Sequence, residues 1–84
     1  MYQVSLSKSV VKFLKFHDDI YDRFLEKVDI IKFDPFDNSL DVKKMRWIED
    51  HYRLRIWKYR FIFMIDKWQL IIYFVDADSR WNIY

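Results

Sequence analysis

Residues 51–60 read HYRLRIWKYR, and this stretch decides the fold. Two sets of side chains alternate along it: Tyr52, Leu54 and Ile56 are separated by Arg53, Arg55 and Trp57. A period of two places the two sets on opposite faces of a β-strand. We therefore predict a strand over 52–57 that packs one face on a core and turns guanidinium groups to the other side.

Arg60 follows a tight connection and opens the next run, 60–65, which is apolar enough to be a buried neighbouring strand. Three arginines, Arg53, Arg55 and Arg60, are thus expected at one end of a hairpin. Guanidinium forks held at fixed spacing on a rigid sheet suit multidentate contact with phosphate. We interpret this face as a phosphate-handling surface.

Each of these arginines also has an ordinary structural alternative. An antiparallel sheet commonly turns one charged face to water, and this is the alternative for Arg53 and Arg55. For Arg60 the alternative is an ion pair across the sheet with Asp66 or Asp76.

Composition limits the class of protein. The chain has 84 residues, with 4 Trp, 6 Tyr and 8 Phe to fill a small core, so residues 1–84 are expected to form one domain. There is no cysteine, which excludes disulfides and thiolate metal sites. No spacing of residues indicates a metal site or a cofactor, and none is expected. Neither a signal peptide nor a membrane-spanning run is visible, so we expect a cytoplasmic protein.

Positive charge is concentrated in residues 43–60. The net charge of the chain is +2, but this segment holds seven basic residues against Glu49 and Asp50, a net charge of +5. Such a field attracts nucleic acid or an acidic protein segment. The residues that we predict to bind RNA are Lys43, Lys44, Arg46, Trp57 and Lys58. Lysines at a sheet edge that prevent aggregation, and tryptophans that serve as packing residues, are the alternatives.

The remaining pattern predicts an α+β fold. A short strand over 2–6 is followed by a helix over 8–16 that Ser7 caps and by a second helix, capped by Asp18 or Asp19, that runs to about residue 33. Further strands are predicted over 42–48, 60–65 and 69–75, the last covered on both faces. The expected architecture is a helical hairpin packed on a mainly antiparallel sheet of four to five strands, in the order β-α-α-β-β-β-β.

This order, together with the segments "YRLRI", "YR" at Tyr59 and Arg60, and the terminal "SRWNIY", resembles the RelE/ParE superfamily of toxins from type II toxin–antitoxin systems. The similarity covers the whole chain and is greatest to the RelE-like mRNA interferases. It implies a metal-independent endoribonuclease that cleaves mRNA in the ribosomal A site, in contact with 16S rRNA, and that a cognate acidic antitoxin holds inactive.

The resemblance also implies the catalytic residues, which are Arg53, Arg55, Arg60, Arg80 and Tyr84. Arg60 and Arg80 would stabilise charge on the phosphate, whereas Arg53 and Arg55 would fix the backbone and orient the 2′-hydroxyl. Tyr84 would stack on a base or move a proton. The general base stays open, with His51 as one candidate.

Two other functions stay open at this point. One is a ParE-like inhibitor of DNA gyrase that cleaves nothing, and the other is a relative that has lost catalysis but still binds a partner. In the RelE toxins that this chain resembles, lysines are expected at the two positions that Arg53 and Arg55 occupy here. This difference keeps the second alternative open.

Overall fold

The computed structural model describes residues 1–79, which form two helices and a five-stranded sheet. In chain order the elements are β1 Gln3–Leu6, α1 Lys8–Phe16, α2 Asp18–Phe33, β2 Asp41–Lys44, β3 His51–Ile56, β4 Tyr59–Asp66 and β5 Ile71–Asp78. The predicted order of one strand, two helices and four strands is confirmed. Within residues 1–79, neither helix has the length and apolar character that crossing a membrane requires.

The sheet is mixed, and its strand order is β1-β5-β4-β3-β2. The strands from β2 to β5 are antiparallel neighbours, as predicted, because short connections reverse the chain direction. At one edge β1 lies parallel to β5, with Val4 opposite Ile72. The first strand of the chain is therefore held by the last one, and β4 lies at the centre of the sheet.

The two helices begin in different ways. Ser7 caps α1 as predicted, since its Oγ accepts a hydrogen bond from the backbone N–H of Val10 at 3.2 Å. The prediction that Asp18 or Asp19 caps α2 is wrong, because His17 holds the N-cap position and its side chain makes no capping bond. The two aspartates lie in the first turn, where carboxylates interact favourably with the positive end of the helix dipole.

The core lies between the helices and one face of the sheet. Phe24 of α2 packs on Phe61 and Phe74, with ring centroids 4.6 and 5.1 Å apart, in tilted and edge-on geometries typical of aromatic pairs. The helices add aliphatic residues to this core, namely Val10, Leu14, Ile20, Val28 and Ile31. Both helices cover this face, and neither α1 nor α2 packs on the opposite one, which we call the open face.

Two of the predicted strands differ from the observed ones. The strand predicted over 42–48 ends at Lys44, after which the backbone N–H of Met45 donates to the carbonyl of His51 and the chain turns. The prediction that 69–75 is covered on both faces is wrong, since β5 is buried only at Ile72 and Phe74. The central strand β4 has that property instead, since six of its eight residues, on both faces, are buried.

The pairing of β4 with β5 contains a β-bulge. Ile62 lies opposite Asp76, but the next residue of β4, Phe63, lies opposite Phe74, so Val75 is an extra residue on β5. An extra residue reverses the alternation of faces beyond it.

The bulge places two acidic side chains on the open face of the sheet. Phe74 faces the helices before the bulge, and Ala77 packs against the same core after it. Strict alternation from Phe74 would have turned Asp76 and Asp78 towards the core as well. With the bulge, both aspartates face away from the helices. β5 continues to Asp78, three residues beyond the end that the sequence predicted for this strand.

Candidate functional site

The face of the sheet without helices carries the predicted arginines. Leu54 and Phe61 lie opposite each other in the core, and alternation turns their neighbours to the other side. On that side Arg55 lies directly opposite Arg60, and Arg53 lies opposite Ile62. The structure therefore brings together the three arginines of the hairpin that the sequence singled out.

Arg55 and Arg60 are the middle members of a row of charges that crosses four strands. The register places Asp41 of β2 beside Arg55 and Asp78 of β5 beside Arg60. Across the four strands the row therefore has an acid at each end and two bases in the middle. Like charges opposite each other destabilise a sheet, and an acid at each end of the row offsets this repulsion.

Arg60 is buried, with only 3% of its surface exposed. A charge in that position acts through a medium of lower dielectric constant than water, so its field at the surface is stronger than that of a solvated arginine. The alternative that pairs Arg60 with Asp66 or Asp76 is wrong. Asp66 lies opposite Ile71, and Asp76 lies opposite Ile62. The acid opposite Arg60 is Asp78. Sequence reasoning missed Asp78 because the bulge, which has no clear sequence signal, sets its register.

The hairpin turn holds the Arg55 side chain. Its Nε donates to the carbonyl oxygen of Trp57 at 3.0 Å, and Trp57 has a positive φ of 63°. Trp57 and Lys58 occupy the two-residue turn between β3 and β4. A turn of this length brings the ends of the two strands together, which keeps Arg55 beside Arg60.

Two of the residues predicted to bind RNA turn their side chains to the helix side, although Trp57 also lines a pocket with Arg55. The Trp57 ring lies against the guanidinium of Arg23 on α2, with 4.3 Å from Cζ to the ring centroid. The Lys58 ammonium lies 5.5 Å from the ring centroid of Tyr59, which belongs to the core on the helix side. Both residues therefore face the helices.

The other predicted RNA-binding residues form a separate pocket on the open face. Its volume is about 410 Å3, and it is lined by Lys43, Lys44, Met45, Arg46, Trp47 and Arg53. Lys43 is the neighbour of Arg53 across β2 and β3. This pocket adjoins the Arg55–Arg60 pair, since Arg53 and Arg55 are two residues apart on one face of β3.

His51 begins β3 on the same face as Arg53, at the end of the strand away from Arg55. Its Nδ1 lies 2.7 Å from the carbonyl oxygen of Glu49, which is an acceptor. In the neutral ring the Nδ1–H therefore donates, and Nε2 carries the lone pair. Two further predicted residues, Arg80 and Tyr84, lie outside the described residues. In the range 1–79 no group of three His, Asp or Glu side chains is arranged to hold a metal ion.

The fold matches those of solved toxin structures. No model of a protein family matches the sequence, and no curated protein matches it. The archaeal RelE–RelB complex from Pyrococcus horikoshii OT3 matches with a TM-score of 0.84 and 32% identity, over 96% of this chain and 97% of that one. The RelB–RelE antitoxin–toxin complex from Methanococcus jannaschii matches at 0.73 and 23%, over 88% and 87%. The isolated E. coli RelE toxin matches at 0.77 and 12%, over 95% and 85%, a similarity of fold alone.

Proposed function

Because this chain belongs to the RelE family of toxins, we propose that it inhibits translation by cleaving mRNA in the ribosomal A site. The observation that carries the proposal is the cross-strand pair of Arg55 and Arg60 on the open face of the sheet. Two cations directly opposite each other repel, which is unfavourable for folding. Arg55 is placed to contact an anion at the surface, and buried Arg60 adds a positive field beneath it.

The chemistry of the proposed reaction is an internal transfer. The 2′-oxygen of the ribose loses its proton and bonds to the neighbouring phosphorus. The bond from phosphorus to the 5′-oxygen breaks, and the leaving 5′-oxygen takes up a proton. The products are a 2′,3′-cyclic phosphate and a 5′-hydroxyl. Negative charge grows on the non-bridging oxygens in the transition state, and preset cations lower the barrier by about 3 kcal/mol for one well-placed donor.

The roles follow from exposure and position. Arg60, buried beneath the face, supplies a fixed field, whereas Arg55 and Arg53 reach the surface and contact the phosphate and the 2′-hydroxyl. Arg80 and Tyr84 complete the proposed set. An arginine remains protonated and is no general base. His51 lies about 13 Å along β3 from Arg55, beyond the reach of a proton acceptor for this site, so water is our candidate for that role.

We infer that the partner that silences the toxin is an acidic antitoxin. Two of the matched structures, from Pyrococcus and Methanococcus, contain RelE with RelB. In this chain the strongest positive field lies on residues 43–60, which carry the hairpin and the basic pocket. A partly disordered segment with acidic side chains that folds across this face would neutralise it and block the access of RNA.

Primer extension in a translating extract tests the function. The wild-type chain is expected to produce cuts at fixed positions within codons, and no cuts when translation is blocked before the ribosome binds mRNA. Arg55→Ala is expected to abolish the cuts. Lys8→Ala, at an exposed position in the first turn of α1, is the control and is expected to keep them. DNA damage without cuts in cells that express the chain would replace this proposal with gyrase inhibition, and neither effect would indicate a relative that only binds.

A further inference from the structure

The basic pocket beside the arginine pair has properties that the proposed cleavage site does not explain. It is lined by four cationic side chains and no acidic one, and they are Lys43, Lys44, Arg46 and Arg53. Its volume of about 410 Å3 lies in the range that accommodates a small organic ligand. The row of charges through Arg55 has an acid at each end, whereas this pocket has none.

The charges in this pocket are not neutralised within residues 1–79. None of its four cations has a carboxylate within ion-pair distance in that part of the chain. The Nε–H of Arg53 is buried and has no acceptor there. A buried donor without an acceptor is disfavoured, and such groups are usually satisfied by a protein group, water or ligand. The pocket therefore presents positive charge and unmet donor capacity together.

The wall of the pocket includes an unusually exposed aromatic ring. Trp47 is 84% exposed, whereas Met45, two residues earlier in the chain, is buried. Met45 lies outside the core cluster on the helix side, so it forms part of a small apolar floor on the open face. An indole that is exposed in this way adds nothing to the core, but its face is available for a nucleic-acid base to stack on.

A second exposed tryptophan provides an internal comparison. Trp68 is 98% exposed and lies with Lys67 in another pocket at the same end of the sheet. That pocket also contains Asp50 and Asp66. Carboxylates repel phosphate, so it lacks the charge that an RNA strand requires. Both pockets contain an exposed tryptophan. Of the two, only the pocket at Trp47 has cations and no carboxylate in its lining.

We propose that this basic pocket binds one nucleotide of single-stranded RNA next to the cleaved phosphate, with the base stacked on Trp47 and the phosphate held by Lys43 and Arg53. The inference rests on the proposed function, because it places the same RNA strand across both sites. Arg53 lies about 7 Å along β3 from Arg55, which is two residues of an extended strand. Arg53 lies at the boundary of the two sites and also serves the cleavage site, whereas the other lining residues hold the strand in position and take no part in bond cleavage.

Equilibrium binding of a fluorescently labelled oligoadenylate to the full chain, followed by anisotropy, tests the subsite without the ribosome. Trp47→Ala is expected to weaken binding about tenfold, which is the scale of losing one stacked base. Trp68→Ala, the matched control, is expected to leave binding unchanged. Circular dichroism is expected to show the wild-type fold in both variants, because both side chains are exposed. Equal effects of the two substitutions, or no effect of Trp47→Ala, would overturn the proposal.

Salt dependence tests the phosphate contact separately. Lys43→Ala is expected to reduce the slope of log K against log salt by about 0.7, the value for one phosphate of a single strand. Lys67→Ala is the matched control and is expected to retain the wild-type slope. A double-stranded RNA that binds as tightly as the oligoadenylate and does not depend on Trp47 would show that the pocket grips a helix, and the proposal would be wrong.

The outcome for this pocket is independent of the outcome for cleavage. If the wild-type chain makes no cuts in a translating extract but Trp47→Ala still weakens binding of oligoadenylate, the nuclease proposal fails and the subsite stands. If the wild-type chain cuts mRNA and Trp47→Ala changes neither binding nor the concentration of toxin needed for half-maximal cutting, the subsite fails and the nuclease stands.

Discussion

Arg55 and Arg60 lie directly opposite each other on β3 and β4, on the face of the sheet that has no helix packed on it. Repulsion between two such cations destabilises a sheet by up to about 1 kcal/mol. Asp41 and Asp78, at the two ends of the same row, offset part of this cost. A costly arrangement that the rest of the sheet accommodates is typical of a functional site.

The first prediction concerns the geometry of the pair. Arg55→Lys loses the planar fork that contacts the phosphate, and Arg60→Lys keeps a charge but moves it from the position of the buried guanidinium; we expect each to lower the rate of mRNA cleavage about a hundredfold. The same change at Arg23, which contacts Trp57 on the helix side, is the control and is expected to keep the wild-type rate. Single-turnover cleavage on programmed ribosomes measures all three. Wild-type rates in both site variants would remove the pair from the mechanism.

The second prediction concerns the acid opposite the buried arginine. Asp78→Asn is expected to lower the free energy of unfolding by up to about 1 kcal/mol, because a cross-strand opposite charge is lost beside Arg60. Asp76→Asn is the matched control, since Asp76 lies on the same face two residues away but opposite Ile62. Urea denaturation compares the two. A larger loss for Asp76→Asn would contradict the charge row.

The third prediction concerns backbone strain in the connection between β4 and β5. Leu70 is 47% exposed and has a positive φ of 58°, a region that costs a residue with a Cβ about 1–2 kcal/mol. Leu70→Gly is expected to raise the free energy of unfolding by about 1 kcal/mol, allowing for the greater flexibility of glycine in the unfolded chain. Leu25→Gly, at a helix position that is 41% exposed, is expected to lower it by about 1 kcal/mol. Measured by thermal unfolding, the midpoint temperature is expected to rise for Leu70→Gly and to fall for Leu25→Gly.

The fourth prediction concerns Ser7, whose side chain forms hydrogen bonds to both α1 and β5. Its Oγ accepts from the backbone N–H of Val10 and donates to the carbonyl of Val75 at 3.0 Å, at the extra residue of the bulge. Ser7→Ala is therefore expected to cost about 1 kcal/mol or more, since a helix cap and a bulge contact are both lost. Ser9→Ala, at an exposed position inside α1, should be neutral or slightly stabilising. Chemical denaturation is the measurement, and equal effects would disprove the double role.

The fifth prediction concerns pH. The hydroxyl and then the backbone N–H of Ser39 hold the pKa of Asp37 below its ordinary value. A lowered pKa in the folded state gives stability that is present above the ordinary pKa and is lost as the pH falls through the folded one. Ser39→Ala is expected to raise the pKa of Asp37 towards its ordinary value, which NMR titration of the carboxyl group would show. Ser5→Ala should leave it unchanged.

The proposed inhibition of translation has a consequence for expression. A chain that inhibits translation limits its own production, so we expect expression of the wild-type chain alone to arrest growth. Expression of Arg55→Ala should relieve the arrest, and this observation needs no purified protein.

Much of the fold was predictable because its signals are local. Alternation over Tyr52 to Ile56 predicted the core side of β3, and the observed pairing of Leu54 with Phe61 confirms it. The N-cap at Ser7 was readable for the same reason, since a cap involves residues within one turn of the helix. The proximity of Arg55 to Arg60 followed from a two-residue turn, which leaves little choice of register.

The sequence by itself determined which face of β3 is apolar and that three arginines meet on one hairpin, because these follow from spacing along the chain. Only the tertiary structure decided that Asp78 lies beside Arg60, that β1 pairs in parallel with β5, and that Trp57 turns to α2. Each of these depends on contacts between distant segments. The extra residue at Val75 in particular reverses the two faces of β5, and a single residue of slip there is specified by packing across the sheet.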